Sequence, residues 1–113
     1  MAQLLSHGRV RRAWLGVAGA TASLARRIAN YHGLANESGV RVRSIEAGSP
    51  AEAAGLEAGD LIVLIDDHLV TGVDRLQRLL DHHRIDRTSE LTFLRRAQKM
   101  TVPVTARERA RGP

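Results

Sequence analysis

Ser49, in the segment 48–56 (GSPAEAAGL), is the first residue whose type could do chemistry. A nucleophilic serine needs a base and oxyanion donors, and the neighbouring sequence supplies neither in recognisable form. The same serine suits a helix N-cap, because Pro50 fits the first helical position and Glu52 can reach back to the Ser49 amide. We therefore interpret Ser49 as the cap of a short helix that ends at Gly55.

Histidine and acidic side chains suggest a metal site at two places, residues 66–68 (DDH) and the pair His82 and His83. Adjacent histidines on a helix point about 100° apart, so they cannot easily bind one ion together. Phosphate binding is also disfavoured, because residues 16–19 (GVAG) lack the spacing of a Walker or dinucleotide loop and the helix that follows one. We expect no metal, no cofactor and no catalytic triad in this chain.

The composition indicates one globular domain. The chain has 113 residues, of which 43% are hydrophobic and 26% charged. Only 3% are aromatic, so Val, Leu, Ile and Ala must build the core. The absence of cysteine excludes disulfides and thiolate chemistry. No apolar run approaches the roughly 18 residues of a membrane span, and the first ten residues lack the core of a secretory signal, so we expect a soluble chain without membrane insertion.

The net charge of +5 comes from the two ends of the chain. Residues 1–12 carry three arginines and no acid, and residues 107–113 carry three arginines against one glutamate, whereas residues 13–106 have 11 basic and 11 acidic side chains. A nucleic-acid-binding domain concentrates its basic surplus on a folded face. We therefore expect solvated ends and no nucleic-acid partner, with a weak contact to an anionic surface as the alternative.

The first half of the chain predicts a strand, a helix and a second strand. Residues 13–18 (AWLGVA) indicate a short strand, and residues 40–43 (VRVR) indicate a half-buried strand whose arginines face water. Between them, residues 23–32 predict a helix that Gly33 ends. The expected buried stripe of this helix consists of Leu24, Ile28 and Tyr31.

The second half predicts a buried strand, a helix and two further strands. Residues 61–65 (LIVLI) are apolar throughout, which is typical of a strand covered on both faces. Residues 71–83 predict a helix whose wide apolar stripe needs two apolar neighbours. Alternating apolar residues at 91–93 and 100–104 predict the last two strands, and Pro103 favours an edge position.

The run SPAEAAGLEAGDLIVLIDDHLV, residues 49–70, resembles the central signature of bacterial PDZ domains. Upstream, LLSHGRVRRAWLGVAG is similar to the segment that joins the trypsin-like domain of HtrA/DegP-type serine proteases to their first PDZ domain. The resemblance implies an α+β fold of bacterial permuted topology, a partly open antiparallel barrel or sandwich of five to six strands. Two main helices and one short helix complete the implied fold.

The resemblance also implies a division of the chain and a setting for it. Residues 1–12 would be a linker from a missing protease domain, 13–106 the PDZ domain and 107–113 a basic flexible tail. The chain itself would not be an enzyme, because the Gly-x-Ser-Gly type of site of the protease family is absent, whereas its parent would be a serine endopeptidase of the periplasm or cell envelope. The isolated domain is expected to be monomeric.

A binding site follows from the same resemblance. PDZ domains bind an extended C-terminal peptide as an added strand, and backbone amides hold its carboxylate. The carboxylate loop of the family corresponds to Trp14, Leu15, Gly16 and Val17. The facing helix would contribute Gly72, Leu76 and Leu79, while Val73 and Leu80 point to the core.

Two questions stay open at the level of sequence. Trp14 is expected either at the edge of the groove or as a seal against the preceding linker. The implied partners are hydrophobic C-termini of unfolded or envelope proteins, together with the chain's own protease domain. The alternative function is a structural packing or oligomerisation domain that binds no free peptide.

Overall fold

The structure is a computed structural model that describes residues 11–80 and 87–110, with side chains described over 13–80 and 87–107. In this part of the chain, three helices and eight strands form an α+β fold. In chain order, the elements are β1 (Arg11–Trp14), β2 (Val17–Ser23), α1 (Arg26–Tyr31), β3 (Ser38–Ile45), α2 (Pro50–Ala54), β4 (Leu61–Ile65), β5 (His68–Leu69), α3 (Val73–Leu80), β6 (Thr88–Arg95), β7 (Gln98–Thr105) and β8 (Arg107–Ala110).

Six of the strands form one antiparallel sheet. Its order is β2-β3-β4-β6-β7, and the short β5 pairs with β4. Strand β2 therefore lies at one edge of the sheet and β7 at the other. This sheet and the three helices confirm the expected class and strand number, and none of the described helices has the length and apolarity needed to cross a membrane.

The ends of the domain differ from the sequence prediction. Residues 107–113 were expected to be a flexible tail and residues 1–12 a linker, but β8 pairs with β1 in a separate two-stranded ribbon. The physical reason is that Ala13 and Ala106 are both buried in the main core, so the two ends of the chain leave the body side by side and their backbone groups pair. Residues 1–10 and 111–113 lie outside the described residues.

Strand β4 separates two hydrophobic cores, as its continuous apolar sequence predicts. Ile62 and Ile65 belong to the main core, which also includes residues of α2 and α3. Leu61 and Val63 belong to a second core under α1, because side chains two residues apart on a strand share a face. A shift in the pairing with β6 between Ile62 and Leu64 interrupts this alternation, so Ile65 returns to the face of the main core. Ile62, Val63 and Ile65 are each 0% exposed, so the strand is covered on both sides.

Helix α1 is shorter than predicted, and its expected stripe is wrong at Tyr31. The helix begins at Arg26, so Leu24 lies in the preceding loop, where its amide donates to the Glu37 carbonyl at 2.9 Å. Tyr31 is 83% exposed and its ring edge contacts His32. Ala29 takes the buried position, and Tyr31, two residues or about 200° further around the helix, faces the opposite side.

Helix α2 confirms the interpretation of Ser49 as a cap. The Ser49 hydroxyl accepts from the Glu52 amide at 3.2 Å, and Gly55 ends the helix in the left-handed conformation with φ +91°. The Glu52 carboxylate differs from the expectation by one residue, since it accepts from the Gly48 amide at 2.7 Å rather than from Ser49. The turn before the helix therefore places the Gly48 amide, rather than the Ser49 amide, within hydrogen-bonding distance of the Glu52 carboxylate.

The two-residue turn between β6 and β7 gives a first prediction. Arg96 and Ala97 adopt φ +53° and +67°, a conformation that this type of hairpin turn requires and that side chains with a Cβ disfavour. We expect Ala97→Gly to raise the free energy of unfolding by about 1 kcal/mol. Ala53→Gly on the exposed face of α2 is the control and should lower it by about 1 kcal/mol. Urea denaturation measures both, and a loss of stability in both variants would contradict the prediction.

Candidate functional site

A cavity of about 120 Å³ opens between the edge strand β2 and helix α3. Strand β2 is the edge of the sheet, and no strand among the described residues pairs with its outer side. The cavity lies at the start of β2, and its lining residues are apolar or glycine apart from Gln77. It is lined by Ala13, Trp14, Leu15, Gly16, Val17, Gly19, Val40, Val73, Leu76, Gln77 and Leu80.

The loop at the end of the cavity has its carbonyl groups bonded inside the fold. The Leu15 carbonyl accepts from the Ala51 amide and the Gly16 carbonyl accepts from the Glu46 amide, each at 2.9 Å. In a trans peptide, a carbonyl and the following N–H point in opposite directions. The N–H groups of Gly16 and Val17 therefore point away from α2 and β3, at the start of β2 where the cavity opens.

Gly16 is required at this position for two reasons. Its φ is +86°, a left-handed conformation that only glycine adopts without strain. A Cβ at Gly16 would also collide with the Ser49 Cβ and lie 2.7 Å from the Ser49 hydroxyl oxygen. Ser49 is 1% exposed and is held as the cap of α2, so it cannot move aside without disturbing that helix.

The exposed edge of β2 offers backbone groups to another strand. Val17 lies opposite Ile45, and the bond from the Glu46 amide to the Gly16 carbonyl lies next to this pair. In an antiparallel ladder, the residue next to such a bond has its own N–H and C=O groups on the opposite edge, so those of Val17 point away from β3. A row of outward N–H and C=O groups on an edge strand can bind an added strand. The site therefore combines a bend whose N–H groups point outward, a strand edge and a cavity lined mostly by apolar residues.

The helix residues named from the sequence line the cavity only in part. Leu76 lines the cavity as expected, whereas Gly72 lines a neighbouring polar recess and Leu79 is partly buried against the main core. Val73 was expected to point to the core but is 40% exposed at the cavity. Leu80 is both a core residue and a lining residue.

The orientation of α3 explains which of its residues line the cavity. Helix α3 begins at Val73, and residues spaced by three, four and seven from its start share one face. The cavity-lining residues follow this spacing from Val73, so the helix is rotated relative to the predicted face. Because the helix has apolar residues on two faces, the sequence did not decide which face meets the groove. Val73 and Gln77 line the cavity although they were not predicted for the groove, and their spacing of four, which places them on one helical face, was the available signal.

The four loop residues named from the sequence lie together at the start of β2. Trp14, Leu15, Gly16 and Val17 all line the cavity. Trp14 is half-buried at the end of β1, where the chain passes from the ribbon to the groove. This position is at the edge of the groove and at the junction with the preceding segment, so it fits both expectations for Trp14. No three His, Asp or Glu side chains converge on a metal site in residues 11–80 and 87–110. The His82 and His83 pair lies outside the described residues.

An ion pair between Arg95 and the buried Asp60 fixes the elements behind the loop. Arg95 on β6 makes two bonds of 2.9 Å to the carboxylate of Asp60, and Arg95 also donates to the Gly55 carbonyl at the end of α2 at 2.8 Å. The hydrogen bond with Asp60 raises the pKa of Arg95 above its usual value, and the negative charges of Asp60 and Glu57 add to this effect. The pair thus connects the end of α2 to β6, while the start of α2 anchors the Leu15 carbonyl.

Comparison with known proteins shows which proteins this chain is similar to. Residues 17–105 match the PDZ domain family. The chain is 30% identical over 111 residues to a "Probable periplasmic serine endoprotease DegP-like" of Marinomonas sp., a match that covers 98% of this chain and 23% of that protein. It is 42% identical over 66 residues to a "Serine protease Do-like HtrA" of Lactococcus lactis subsp. cremoris, covering 58% of this chain and 16% of that protein. The chain therefore spans less than a quarter of these relatives.

Solved structures show the same arrangement. "HtrA-type protease AlgW with decapeptide" superimposes with a TM-score of 0.73 and 28% identity, over 98% of this chain and 33% of that chain. The HtrA3 PDZ domain bound to a phage-derived ligand (FGRWV) superimposes with a TM-score of 0.66 over 91% of this chain and 92% of that chain. The second match is only 16% identical, so it bears on the fold alone.

Proposed function

The chain belongs to the PDZ domain family, and from this membership we propose that its groove captures the hydrophobic C-terminus of another polypeptide as a strand added to β2. The observation that carries the proposal is the loop at Leu15 and Gly16. Its carbonyls are bonded to α2 and to the end of β3, which directs the following N–H groups away from the fold and towards the open groove. A carboxylate is the ligand group that such converging N–H donors favour.

The rest of the groove suits the other parts of a C-terminal peptide. The last side chain would enter the cavity of about 120 Å³, whose walls include Leu15, Val17 and Leu76. The peptide backbone would pair with the outer edge of β2. Peptides that end in Val, Leu, Phe or Ala are therefore the expected ligands, at about micromolar affinity, which corresponds to roughly −8 kcal/mol.

The setting of this domain is also part of the proposal. The chain is a PDZ domain rather than a protease domain, and the relatives that it matches are named as serine proteases. We infer that it serves an HtrA-like serine endopeptidase of the periplasm or cell envelope as the substrate-recognition or regulatory domain. Its partners would then be the C-termini of unfolded or envelope proteins and the protease domain of the same polypeptide.

Amidation of the ligand tests carboxylate capture. A pentapeptide that ends in Val should bind about 20-fold more tightly with a free carboxylate than with a C-terminal amide, because the amide keeps one acceptor oxygen but loses the charge that strengthens its hydrogen bonds. Isothermal titration calorimetry of the two peptides against the domain measures the ratio. Equal affinity of the two peptides would contradict the proposal.

The same titration separates the alternative function. A domain that only packs against its own protease or a neighbouring subunit would bind neither peptide. The outer edge of β2 pairs with no strand of the described residues, so it is open to a free peptide and to a segment of the protease or a neighbouring subunit alike, and the titration decides between them. A peptide pool that varies the terminal residue then defines the preference of the cavity.

A further inference from the structure

The groove ends where β2 and α3 touch. The hydroxyl of Thr21 on β2 accepts from the Val73 amide, the first residue of α3, at 3.1 Å. Gly72 approaches the same hydroxyl so closely that a Cβ there would lie 2.8 Å from it. The apolar cavity lies at the opposite end of β2, at Val17. The part of the groove between these points is thus bounded by Val17 and Thr21.

A polar recess follows directly beyond this contact. It encloses about 390 Å³ and is lined by Thr21, Thr71, Gly72, Val73, Asp74, Arg75 and Arg78. Two of its three charged side chains are arginines, so the recess has one positive charge in excess. The rest of its lining is small or polar, apart from the half-exposed Val73.

The guanidinium groups of the recess have capacity for a ligand. Arg78 is exposed and makes no hydrogen bond or ion pair with any residue that the structure describes. The Arg75 Nε donates to the Leu69 carbonyl at 3.3 Å, which leaves its terminal nitrogens available. Asp74, the acidic residue of the recess, makes no ion pair with either arginine within the described residues.

The register of an added strand predicts which ligand residue reaches the recess. Suppose that a ligand pairs antiparallel with β2 and that its last residue lies beside Val17. Each further residue along β2 then lies beside the ligand residue one position earlier in the ligand sequence. Thr21 is four residues further along the strand, so the ligand residues four and five before the C-terminus leave the groove there. Along the helix, Leu80 and Val73 are about 10 Å apart, which corresponds to about three residues of a strand, so a ligand residue four before the C-terminus lies just past the N-terminal end of α3.

We propose that this recess, formed by Arg75 and Arg78 beside Thr21, is a subsite for an acidic side chain four or five residues before the C-terminus of the bound polypeptide. The inference rests on the proposed capture of a C-terminus by the groove. A guanidinium presents parallel N–H donors that match a carboxylate, which makes Asp or Glu the fitting ligand residue. The subsite selects among hydrophobic C-termini by the charge upstream of them.

Three peptides test the subsite. All end in the same three residues; one is the tripeptide, and two are hexapeptides with either Glu or Gln at the fourth and fifth positions before the last residue. We expect the Glu peptide to bind about fourfold more tightly than the Gln peptide in 50 mM salt, the size expected for exposed ion pairs. This ratio should fall towards one in 1 M salt, where the Debye length is about 3 Å.

Variants assign the effect to the recess. Arg78→Gln with Arg75→Gln should remove the preference for Glu and leave the affinity for the tripeptide unchanged. Arg96→Gln, which changes an exposed arginine in the turn between β6 and β7, is the matched control and should keep the preference. A preference that survives loss of both arginines, or equal binding of the two hexapeptides to the unchanged domain, would overturn the subsite. Failure of the tripeptide to bind would instead overturn the capture of C-termini on which it rests.

Discussion

Gly16→Ala is expected to weaken binding of a C-terminal peptide by about 100-fold. The substitution places a Cβ against the Ser49 side chain and leaves φ in the left-handed region. The loop must move to relieve the collision, and the N–H groups of Gly16 and Val17 move with it. Loss of two hydrogen bonds to a carboxylate, at about 1.5 kcal/mol each, corresponds to roughly this decrease in affinity.

Two further variants separate the collision from the backbone conformation. Gly33→Ala has the same type of φ, +68°, with open space around it, so it should cost about 1 kcal/mol of stability and leave binding unchanged. Adding Ser49→Gly to Gly16→Ala removes the atoms that the new Cβ meets, and part of the lost stability and affinity should return. Calorimetric titration of the folded variants measures the affinities. Full affinity in Gly16→Ala would show that the loop amides do not hold the ligand.

Asp60→Ala is expected to have the largest effect on folding, lowering the free energy of unfolding by about 2–3 kcal/mol. Asp60 is 1% exposed, and its carboxylate accepts two bonds from Arg95 and one from the Glu57 amide at 2.8 Å. Removing it leaves these donors without their acceptor and loosens the link between α2 and β6. Chemical denaturation of the variant measures the loss.

Glu57→Gln is the matched control for this ion pair. The Glu57 carboxylate also faces Arg95, but the two groups are 3.7 Å apart and the Glu57 side chain is 68% exposed. An exposed pair contributes little, so this change should alter stability by less than about 0.5 kcal/mol. If Asp60→Ala lowered the free energy of unfolding no more than Glu57→Gln, the pair of Asp60 and Arg95 would not be what holds α2 in place.

Local sequence signals predicted the elements that depend on local physics. The cap at Ser49, the left-handed Gly55 and the buried strand β4 follow from residues that are neighbours in the chain. The resemblance of residues 14–17 to a short family motif likewise indicated a bend at Gly16, whose φ is +86°. These features need no knowledge of distant contacts.

The sequence was less informative where distant residues decide the structure. The pairing of β1 with β8 joins opposite ends of the chain, and the Asp60–Arg95 pair joins residues 35 apart. The rotation of α3 depends on packing against both the sheet and the groove, so an amphipathic pattern with apolar residues on two faces left it undetermined. Tyr31 fitted a helical spacing, but its helix begins later than the pattern indicated.

The most direct test of the account follows the backbone amides of the loop by NMR. Titration of the ¹⁵N-labelled domain with a Val-terminated peptide should move the amide proton resonances of Gly16 and Val17 downfield, because each N–H then donates to a carboxylate. The amidated peptide at the same occupancy should produce a much smaller shift at these two positions. Binding that leaves both resonances in place, or that moves them equally with either peptide, would contradict the assignment of this loop as the carboxylate receptor.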